Sequence, residues 1–357
     1  MNNPNTDKHL TEAVHSFGFE ESNSTVESIS AGFINSTFKV SNKSRTIILQ
    51  KLNGNVFPKP EDIVHNYIQV YNYLNGKKEF KIPEPIKTID KKNCFVDNEK
   101  NIWRATQFIH ATFSPETARD EKDVAAAAYC FGSFTNGLAG LDVSELKVII
   151  PQFHDLAFRY DQFSEALENN FSKRKENARI EIEELIKRKK LVDFYTELIS
   201  NSNYKLRVMH HDAKLSNILF DRNTEKVVCP VDLDTTQSGY FFSDIGDMIR
   251  SMTCNLSENS VDFSAIKINE DFYKEIIKGY MYAMRDEFTY EEKINIHYSG
   301  LLMIYMQALR YMADHLNGDI YYRITYPEQN FDRTKNQLTL LKRLEEFLAK
   351  EFNFNPY

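Results

Sequence analysis

The sequence predicts an α+β protein with a small β-rich N-lobe and a large, mainly helical C-lobe. The chain has 357 residues, which is more than one hydrophobic core usually serves. Residues 24–105 contain short β-branched and alternating runs, whereas helical spacing of apolar residues dominates the part that follows. We place the boundary so that residues 1–106 form the N-lobe and residues 107–357 form the C-lobe.

The composition is that of an ordinary globular protein. Hydrophobic residues make up 42% of the chain and charged residues 27%. The 44 Lys and Arg residues face 51 Asp and Glu residues, a net charge of −7, so we expect no nucleic-acid partner. The four cysteines are scattered without a CxxC pair, which predicts reduced, mostly buried thiols.

The N-terminal residues show no basic start, apolar run and cleavage site of the kind that secretion signals carry. The longest apolar runs are far shorter than the roughly 18 residues that span a bilayer. We therefore expect a cytoplasmic protein with no membrane partner. We also expect a monomer or a weak dimer.

Local patterns define the elements of the N-lobe. The β-branched runs 37–40 and 46–49 enclose turn residues 41–44, which predicts a hairpin. A polar loop, 28–35, precedes it. Residues 60–75 carry an apolar stripe at helical spacing. Further strands are predicted around residues 86–88, 93–96 and 101–108.

The C-lobe is predicted to be helical with one interruption. Helical patterns cover 120–139, 162–200 and 301–316, and the many charges of the second favour a solvated helix face over a binding patch. The interruption consists of short apolar runs separated by polar turns, where catalytic groups are often presented. These runs are residues 207–210, 217–220 and 227–231.

A group of polar residues with a recognisable chemistry lies in this interruption. Asp212 and Asn217 are five residues apart, and Asp232 and Asp234 follow after a short strand. A carboxylate beside an acceptor hydroxyl can orient it and take its proton. Amide and carboxylate oxygens are ligands suited to Mg²⁺, so the set suits phosphoryl transfer. So short a motif also occurs by chance, and the order of the flanking segments therefore matters.

The motif His-x-Asp-x-x-x-x-Asn, an Asp on the next strand and the downstream segment 243–250 occur here in one order. With them the sequence resembles the aminoglycoside phosphotransferase and choline kinase superfamily. The resemblance implies a protein-kinase-like fold in which Asp212 is the base, Asn217 and Asp232 hold Mg²⁺, and His210 supports the loop. His211 stands where many members have Gly, a departure that we assign to loop packing.

The same resemblance implies roles for the acidic residues downstream. It assigns to Asp247 a hydrogen bond that supports the catalytic loop. For Asp244 we expect a helix N-cap. Asp234 has two interpretations, assistance to the metal or hydrogen bonds to backbone amides in a turn.

ATP is the cosubstrate that the resemblance implies. Residues 30–40 resemble a phosphate-covering loop, in which Gly32 allows close backbone approach and Asn35 caps the turn. The strand lysine expected to contact the phosphates is replaced in register by Gln50; either Lys51 substitutes for it or the cation is absent. Residues 107–110 are the expected hinge that meets adenine through backbone groups. The predicted nucleotide-binding residues are Gly32, Asn35, Gln50, Lys51, Gln107 and Ile109.

A closer resemblance, to the N-acetylhexosamine 1-kinases, covers nearly the whole chain. It implies a reaction of ATP with N-acetylglucosamine or N-acetylgalactosamine that gives the sugar 1-phosphate, with Arg310 and Tyr321 binding the sugar. Without the resemblance, the two residues would be a helix-surface cation and a core aromatic. The segments that carry the resemblance are residues 32–37, 49–57, 214–217, 232–235 and 310–322.

Two alternatives remain open from the sequence. The same machinery could serve another acceptor, such as an amino alcohol, a thiopentose or an aminoglycoside. Acidic residues around the acceptor would favour a cationic acceptor. A pseudokinase acting as a binding module is the other alternative, motivated by the missing strand lysine. The intact Asp212, Asn217 and Asp232 argue against it.

Overall fold

The computed structural model describes residues 4–29, 34–77, 80–169 and 174–356. The helices are α1 (Pro4–Ser16), α2 (Pro60–Asn75), α3 (Glu121–Gly137), α4 (Leu156–Asn169), α5 (Arg174–Asn177), α6 (Arg179–Lys187), α7 (Lys190–Ser200), α8 (Phe242–Met252), α9 (Glu270–Ala283), α10 (Tyr290–Ile294), α11 (Tyr298–Leu316) and α12 (Gln329–Phe352). The strands are β1 (Thr25–Ile29), β2 (Ser36–Ser41), β3 (Thr46–Lys51), β4 (Pro85–Ile86), β5 (Phe95–Val96), β6 (Ile102–Gln107), β7 (Thr112–Phe113), β8 (Arg207–Met209), β9 (Ile218–Asp221), β10 (Val227–Pro230) and β11 (Gln237–Gly239). An antiparallel sheet region followed by a largely helical part confirms the α+β class.

The described chain forms two compact units, each built from three segments. Unit 1 comprises Met1–Ser114, Gly140–Pro151 and Ile218–Ser238; unit 2 comprises Pro115–Ala139, Gln152–Asn217 and Gly239–Tyr357. Strand β9 pairs with β7 and β10, which draws a late segment into unit 1. The predicted division at residues 106 and 107 stays a prediction.

Unit 1 is organised around an antiparallel sheet. Its strand order is β1-β2-β3-β6-β4, and β5 pairs with β6. The predicted hairpin is confirmed as β2 and β3, with Ser41 opposite Thr46, and α2 has the predicted bounds. One face of the sheet packs on α1 through residues such as Phe17, Leu49 and Trp103.

The predicted polar loop at 28–35 is only partly a loop. Strand β1 continues to Ile29 and pairs with β2, with Ile29 opposite Thr37. Residues 30–33, including Gly32, lie outside the described residues, so the role predicted for Gly32 stays a prediction. The loop interpretation was wrong for Ser28 and Ile29 because pairing with β2 satisfies their backbone groups.

Unit 2 is built around α11, which packs on α4, α8 and α12. This helix is buried on nearly all sides, as expected for a helix that is apolar around its whole circumference. The charge-rich stretch 162–200 is divided among α4, α5, α6 and α7. Arg179 and Glu183 of α6 are exposed, in agreement with a solvated helix face.

Two further predictions concern the cysteines and the membrane. No disulfide joins the four cysteines, and Cys130 and Cys229 are buried. Among the described residues, no helix combines the length and the apolar character needed to cross a membrane.

Candidate active site

The loop between β8 and β9 brings Asp212 and Asn217 together in unit 2. Asn217 Nδ2 donates a hydrogen bond to Asp212 Oδ2 at 2.8 Å and another to the Asp212 carbonyl at 2.9 Å. Lys214 Nζ donates to the same Oδ2 at 2.8 Å. Asn217 Oδ1 accepts no hydrogen bond from the described residues. An amide and an ammonium group therefore hold the carboxylate, and one amide oxygen is available to a ligand.

The electrostatic surroundings of Asp212 favour its ionised form. Burial alone would raise the pKa of this carboxyl, but the Lys214 ammonium and then His210 and the Asn217 amide hold the pKa below its usual range. A carboxylate of this kind is ready to accept a proton at neutral pH. Sequence reasoning left Lys214 without a role, although its position two residues after Asp212 in the motif pointed to this contact.

The two histidines before Asp212 shape the loop. His210 is fully buried, with its ring edge-on to Phe131 and Phe134 at centroid distances of 5.1 and 6.0 Å. Its Nδ1 accepts the backbone N–H of Asp212 at 3.3 Å, in keeping with the predicted support role. His211 has φ of 66°, a left-handed conformation that Gly adopts without cost. This conformation is consistent with the Gly that the resemblance implies for this position.

The carboxylate that supports this loop is Asp244, not the predicted Asp247. Asp244 accepts the backbone N–H groups of His210 at 3.1 Å and His211 at 2.8 Å. It lies inside α8, whose N-cap is Phe241, so the N-cap prediction was also wrong. Burial raises the pKa of Asp244 to about 7, against the two N–H donors that lower it.

Asp247 lies one turn further along α8. Its carboxylate accepts hydrogen bonds from Arg250 Nε and Nη2 at 3.2 and 2.9 Å. Within the described chain the hydrogen bonds of this carboxylate are confined to Arg250. Asp244 and Asp247 are three residues apart and point to the same side of the helix, so sequence spacing alone did not distinguish them.

A small polar cluster lies beside the β8–β9 loop, within unit 2. His211 Nδ1 lies 3.3 Å from His154 Nδ1, and both contact Ser243 Oγ, at 2.7 and 2.5 Å. Burial and the neighbouring His211 hold the pKa of His154 well below its usual range, so the ring is neutral. No sequence motif pointed to His154, which precedes α4.

The structure also brings Arg310 and Tyr321 together, as the resemblance implied. The Arg310 guanidinium carbon lies 5.9 Å from the centroid of the Tyr321 ring. Helix α11 ends at Leu316, and Gly318 has φ of 95°, which turns the chain back. Asp314 Oδ1 accepts the backbone N–H of Tyr321 at 2.8 Å, so this segment is fixed by a side chain of the helix itself.

Three residues beside this pair were missed by sequence reasoning. The Arg310 guanidinium carbon is 5.5 Å from the Tyr322 ring and 5.9 Å from the Phe153 ring. Arg159 Nη2 donates to the Phe153 carbonyl at 3.2 Å. Burial and then the charge of Arg310 lower the pKa of Arg159 to about 10. The arginines are 151 positions apart in sequence, so no local pattern linked them.

In unit 1, Asp232 and Asp234 have different surroundings. Asp232 is exposed and has φ of 58°. Asp234 is buried, with Arg104 donating to one carboxylate oxygen and Asn35 to the other. Among the described residues, these hydrogen bonds come from side chains and not from turn amides, whereas the predicted assistance of Asp234 to the metal stays a prediction. Asn35 Oδ1 accepts the backbone N–H of Asn53 at 2.9 Å.

The other predicted nucleotide-binding residues lie on β3 and β6 and just after them. Gln50 Oε1 accepts hydrogen bonds from Arg104, whereas the Lys51 ammonium lies 5.9 Å from the Trp103 ring centroid. Gln107 ends β6, and the Ile109 carbonyl accepts a hydrogen bond from Thr112 Oγ1 at 2.8 Å.

Each of the two predicted metal ligands, taken by itself, suits Mg²⁺ better than a transition metal. Asn217 offers an amide oxygen and Asp232 an exposed carboxylate, both hard ligands. Among the described residues no group of three or more His, Cys, Asp or Glu side chains could hold a metal ion. Mg²⁺ commonly takes few protein ligands and completes its shell with water and substrate phosphates, so the residues fit this ion.

Comparison with known proteins identifies the family. The model of the phosphotransferase enzyme family matches residues 25–266. The chain belongs to this family. It is a small-molecule phosphotransferase with a hydroxyl acceptor, so the superfamily predicted from the catalytic motif is confirmed.

Solved structures of other kinases and phosphotransferases share the fold. An aminoglycoside phosphotransferase from Alicyclobacillus acidocaldarius subsp. acidocaldarius DSM 446 has a TM-score of 0.63 at 10% identity, covering 95% of this chain and 94% of that one. The microcompartment-associated aminopropanol kinase has a TM-score of 0.60 at 13% identity, covering 96% and 98%. Amicoumacin kinase hAmiN in complex with AMP-PNP, Ca²⁺ and Ami has a TM-score of 0.57 at 10% identity, covering 97% and 93%. The predicted kinase-like fold is confirmed.

Proposed function

We propose that this phosphotransferase transfers the γ-phosphoryl group of ATP to the anomeric hydroxyl of an N-acetylhexosamine, N-acetylglucosamine or N-acetylgalactosamine. The observation that carries the proposal is the contact of Arg310 with Tyr321, in the segment most similar to the sugar 1-kinases. Arg presents N–H donors in a fixed fork to ring or acyl oxygens, and Tyr covers a sugar face. Asp314 holds the backbone of Tyr321 in place, so the pair is preorganised for a small ligand.

Asp212 is the base of the proposed reaction. Its carboxylate orients the anomeric hydroxyl and accepts its proton while the bond from that oxygen to the γ-phosphorus forms. The bond from the γ-phosphorus to the bridging oxygen of ADP breaks in the same step, and ADP leaves. Transfer through a loose transition state depends mainly on positioning and charge neutralisation. Lys214, 2.8 Å from Asp212 Oδ2, fixes the carboxylate in its ionised form.

Asn217 and Asp232 would each supply one oxygen ligand to Mg²⁺. Bound there, the ion would neutralise charge on the nucleotide phosphates. The amide oxygen Oδ1 of Asn217 and the exposure of Asp232 support this assignment. A family structure that contains AMP-PNP and Ca²⁺ is consistent with a nucleotide and a divalent cation in this fold.

The charges near Arg310 favour a neutral acceptor over a cationic one. Arg310 donates to Gln307 Oε1 at 3.2 Å, and Arg159 donates to Gln162 and to a backbone carbonyl. Among the described residues neither guanidinium has a carboxylate partner. Arg250, by contrast, is paired with Asp247 and Glu258. Two guanidinium groups without a carboxylate in contact would disfavour choline, an amino alcohol or an aminoglycoside.

An ADP-release screen tests the acceptor. The purified protein is assayed with MgATP and N-acetylglucosamine, N-acetylgalactosamine, glucose, choline, 1-amino-2-propanol or an aminoglycoside. We expect turnover with the two N-acetylhexosamines, and ³¹P NMR should place the phosphate on the anomeric oxygen. Turnover with an amine alone would reject the sugar assignment and leave the family membership in place. If none of these acceptors leads to release of ADP although the protein binds MgATP, the result would favour a binding module.

A further inference from the structure

Gln50 and Arg104 form a pair on one face of the sheet in unit 1. They are opposite each other in the register of β3 and β6, so their side chains share a face. Gln50 Oε1 accepts two hydrogen bonds from Arg104, from Nε at 3.1 Å and from Nη2 at 2.8 Å. Gln50 Nε2 donates to Thr37 Oγ1 at 3.2 Å, which fixes the orientation of its amide. Gln50 therefore aims the guanidinium of Arg104.

Two further groups hold this guanidinium. Arg104 Nη2 also donates to the Asp234 carboxylate, and the ring centroid of Tyr67 lies 5.4 Å from the guanidinium carbon. The side chains of Arg104 and Asp234 are only 6% and 4% exposed. The cation is thus enclosed and rigid, with a carboxylate as its counter-ion.

One end of the guanidinium has no hydrogen-bond partner among the described residues. Arg104 Nη1 is buried and makes no hydrogen bond with any described residue, although it carries two N–H donors. Buried donors without a partner are rare in folded proteins and call for an explanation such as a ligand. Oxygen atoms of a phosphate group match a free guanidinium edge in charge and in geometry.

We infer that Arg104 supplies the cation that contacts a phosphate of the nucleoside triphosphate, with Gln50 and Asp234 as positioning residues. The inference rests on the proposed kinase function. It accounts for Gln50 in the register of the missing strand lysine. The Asp234 carboxylate takes the place of the acidic partner with which kinases pair such a lysine. Asp232, the proposed metal ligand, precedes Asp234 by two residues.

Lys51 is the competing source of a cation. It is opposite Trp103 in the register, so it projects from the sheet face opposite that of Gln50 and Arg104. Its ammonium lies 5.9 Å from the ring centroid of Trp103, a buried residue of the core formed with α1. The side chains of Lys51 and Arg104 therefore lie on opposite faces of the sheet. Asp234 contacts Arg104 and so lies on the face of Arg104.

Calorimetric titration with MgATP and with adenosine separates a phosphate contact from a structural role. For Arg104→Gln we expect MgATP affinity to fall by about 10- to 100-fold with adenosine affinity unchanged. Arg45→Gln is the matched control, because the guanidinium of Arg45 belongs to the same sheet region and bonds the Phe17 carbonyl. An unchanged MgATP affinity, an equal loss for adenosine, or a loss of MgATP affinity in Lys51→Gln instead would overturn the inference.

A second variant guards against misfolding, because Arg104→Gln leaves Asp234 buried without its cation. The double variant Gln50→Lys with Arg104→Gln moves a cation to the register partner, and we expect it to recover most of the MgATP affinity. Recovered melting temperature without recovered affinity would contradict the inference. If neither N-acetylhexosamine is phosphorylated but Arg104→Gln still weakens MgATP binding, only the acceptor assignment would be rejected. Absence of MgATP binding by the unmodified protein would reject the proposed ATP dependence itself.

Discussion

At the scale of single residues, the proposed reaction depends on one carboxylate, that of Asp212. Lys214 and Asn217 both donate to Asp212 Oδ2, so the position and the charge of this carboxylate are set by its neighbours. The ammonium, His210 and the amide outweigh the effect of burial on its pKa. Two substitutions test the charge and the role of Asp212 separately.

Replacement of Asp212 by Asn removes the proton acceptor and keeps the shape of the side chain. We expect kcat to fall by about 10²- to 10⁴-fold, with little change in the dissociation constant for MgATP. Steady-state kinetics and calorimetry measure the two quantities. Asp221→Asn, at a half-buried residue at the end of β9 whose carboxylate accepts the backbone N–H of Thr224, is the control and should keep its turnover. Near-normal kcat for Asp212→Asn would exclude this residue as the base.

Replacement of Lys214 by Met tests the electrostatic support. Because the ammonium lowers the pKa of Asp212, its loss should raise that pKa. The acid limb of the profile of kcat/KM against pH should therefore move to higher pH, since a larger fraction of Asp212 is protonated at a given pH. Lys214→Arg, which keeps the charge, should leave the limb near its original place. An unmoved limb in Lys214→Met would show that Lys214 does not set this pKa.

At the scale of secondary-structure elements, α8 organises the catalytic loop. Its first turn carries Asp244, whose carboxylate satisfies two backbone N–H groups of the loop. Its next turn carries Asp247, which pairs with Arg250. Gly246 allows the close approach of α11, because a Cβ there would lie within 3 Å of the Ser299 carbonyl oxygen and the Met303 side chain. The helix thus connects the core helix of unit 2 to the catalytic loop.

Substitution of Asp244 tests this connection. Asp244→Ala leaves the N–H groups of His210 and His211 without their acceptor, and each such loss costs about 1–3 kcal/mol. We expect the free energy of unfolding at pH 8 to drop by about 2–4 kcal/mol and kcat to fall at least tenfold. Asp247→Ala should reduce kcat less, since its partner is Arg250. Urea denaturation and steady-state kinetics decide, and a larger kcat effect for Asp247→Ala would restore the role predicted from sequence.

At the scale of the whole molecule, the residues assigned to the proposed reaction are divided between the two compact units. Arg104 and Asp232 belong to unit 1, whereas Asp212 and Arg310 belong to unit 2. Substitutions in the two units should therefore change different kinetic constants. Substitutions in unit 1 should change KM for ATP, and substitutions around Arg310 should change KM for the acceptor.

The acceptor residues of unit 2 give the test. Arg310→Ala and Tyr321→Ala should raise KM for an N-acetylhexosamine much more than KM for ATP, because both side chains are proposed to contact only the sugar. Glucose should be a poorer substrate than N-acetylglucosamine, since groups that pair with the acetamido substituent lose their partner. Ile320→Ala, at an exposed neighbouring side chain, is the control. Equal changes in both KM values would remove the two residues from the acceptor site.

Sequence by itself determined the features that depend on local order. The hairpin of β2 and β3, the bounds of α2 and the end of α11 at Asn317 and Gly318 follow from turn residues and periodicity. The motif from His210 to Asn217, in one order with the Asp on the next strand and the segment 243–250, was sufficient to predict the family. These features rest on residues within about one element of each other, where spacing translates directly into contact.

Only the tertiary structure decided which distant residues meet. The guanidinium beside Gln50 comes from Arg104, 54 positions away, through the register of two strands. Asp244 rather than Asp247 reaches the catalytic loop because the packing of α8, and not its sequence, selects the turn that faces the loop. Arg159 approaches Arg310 because α4 packs on α11. Such contacts depend on how elements pack, and packing is a property of the assembled core that no single segment encodes.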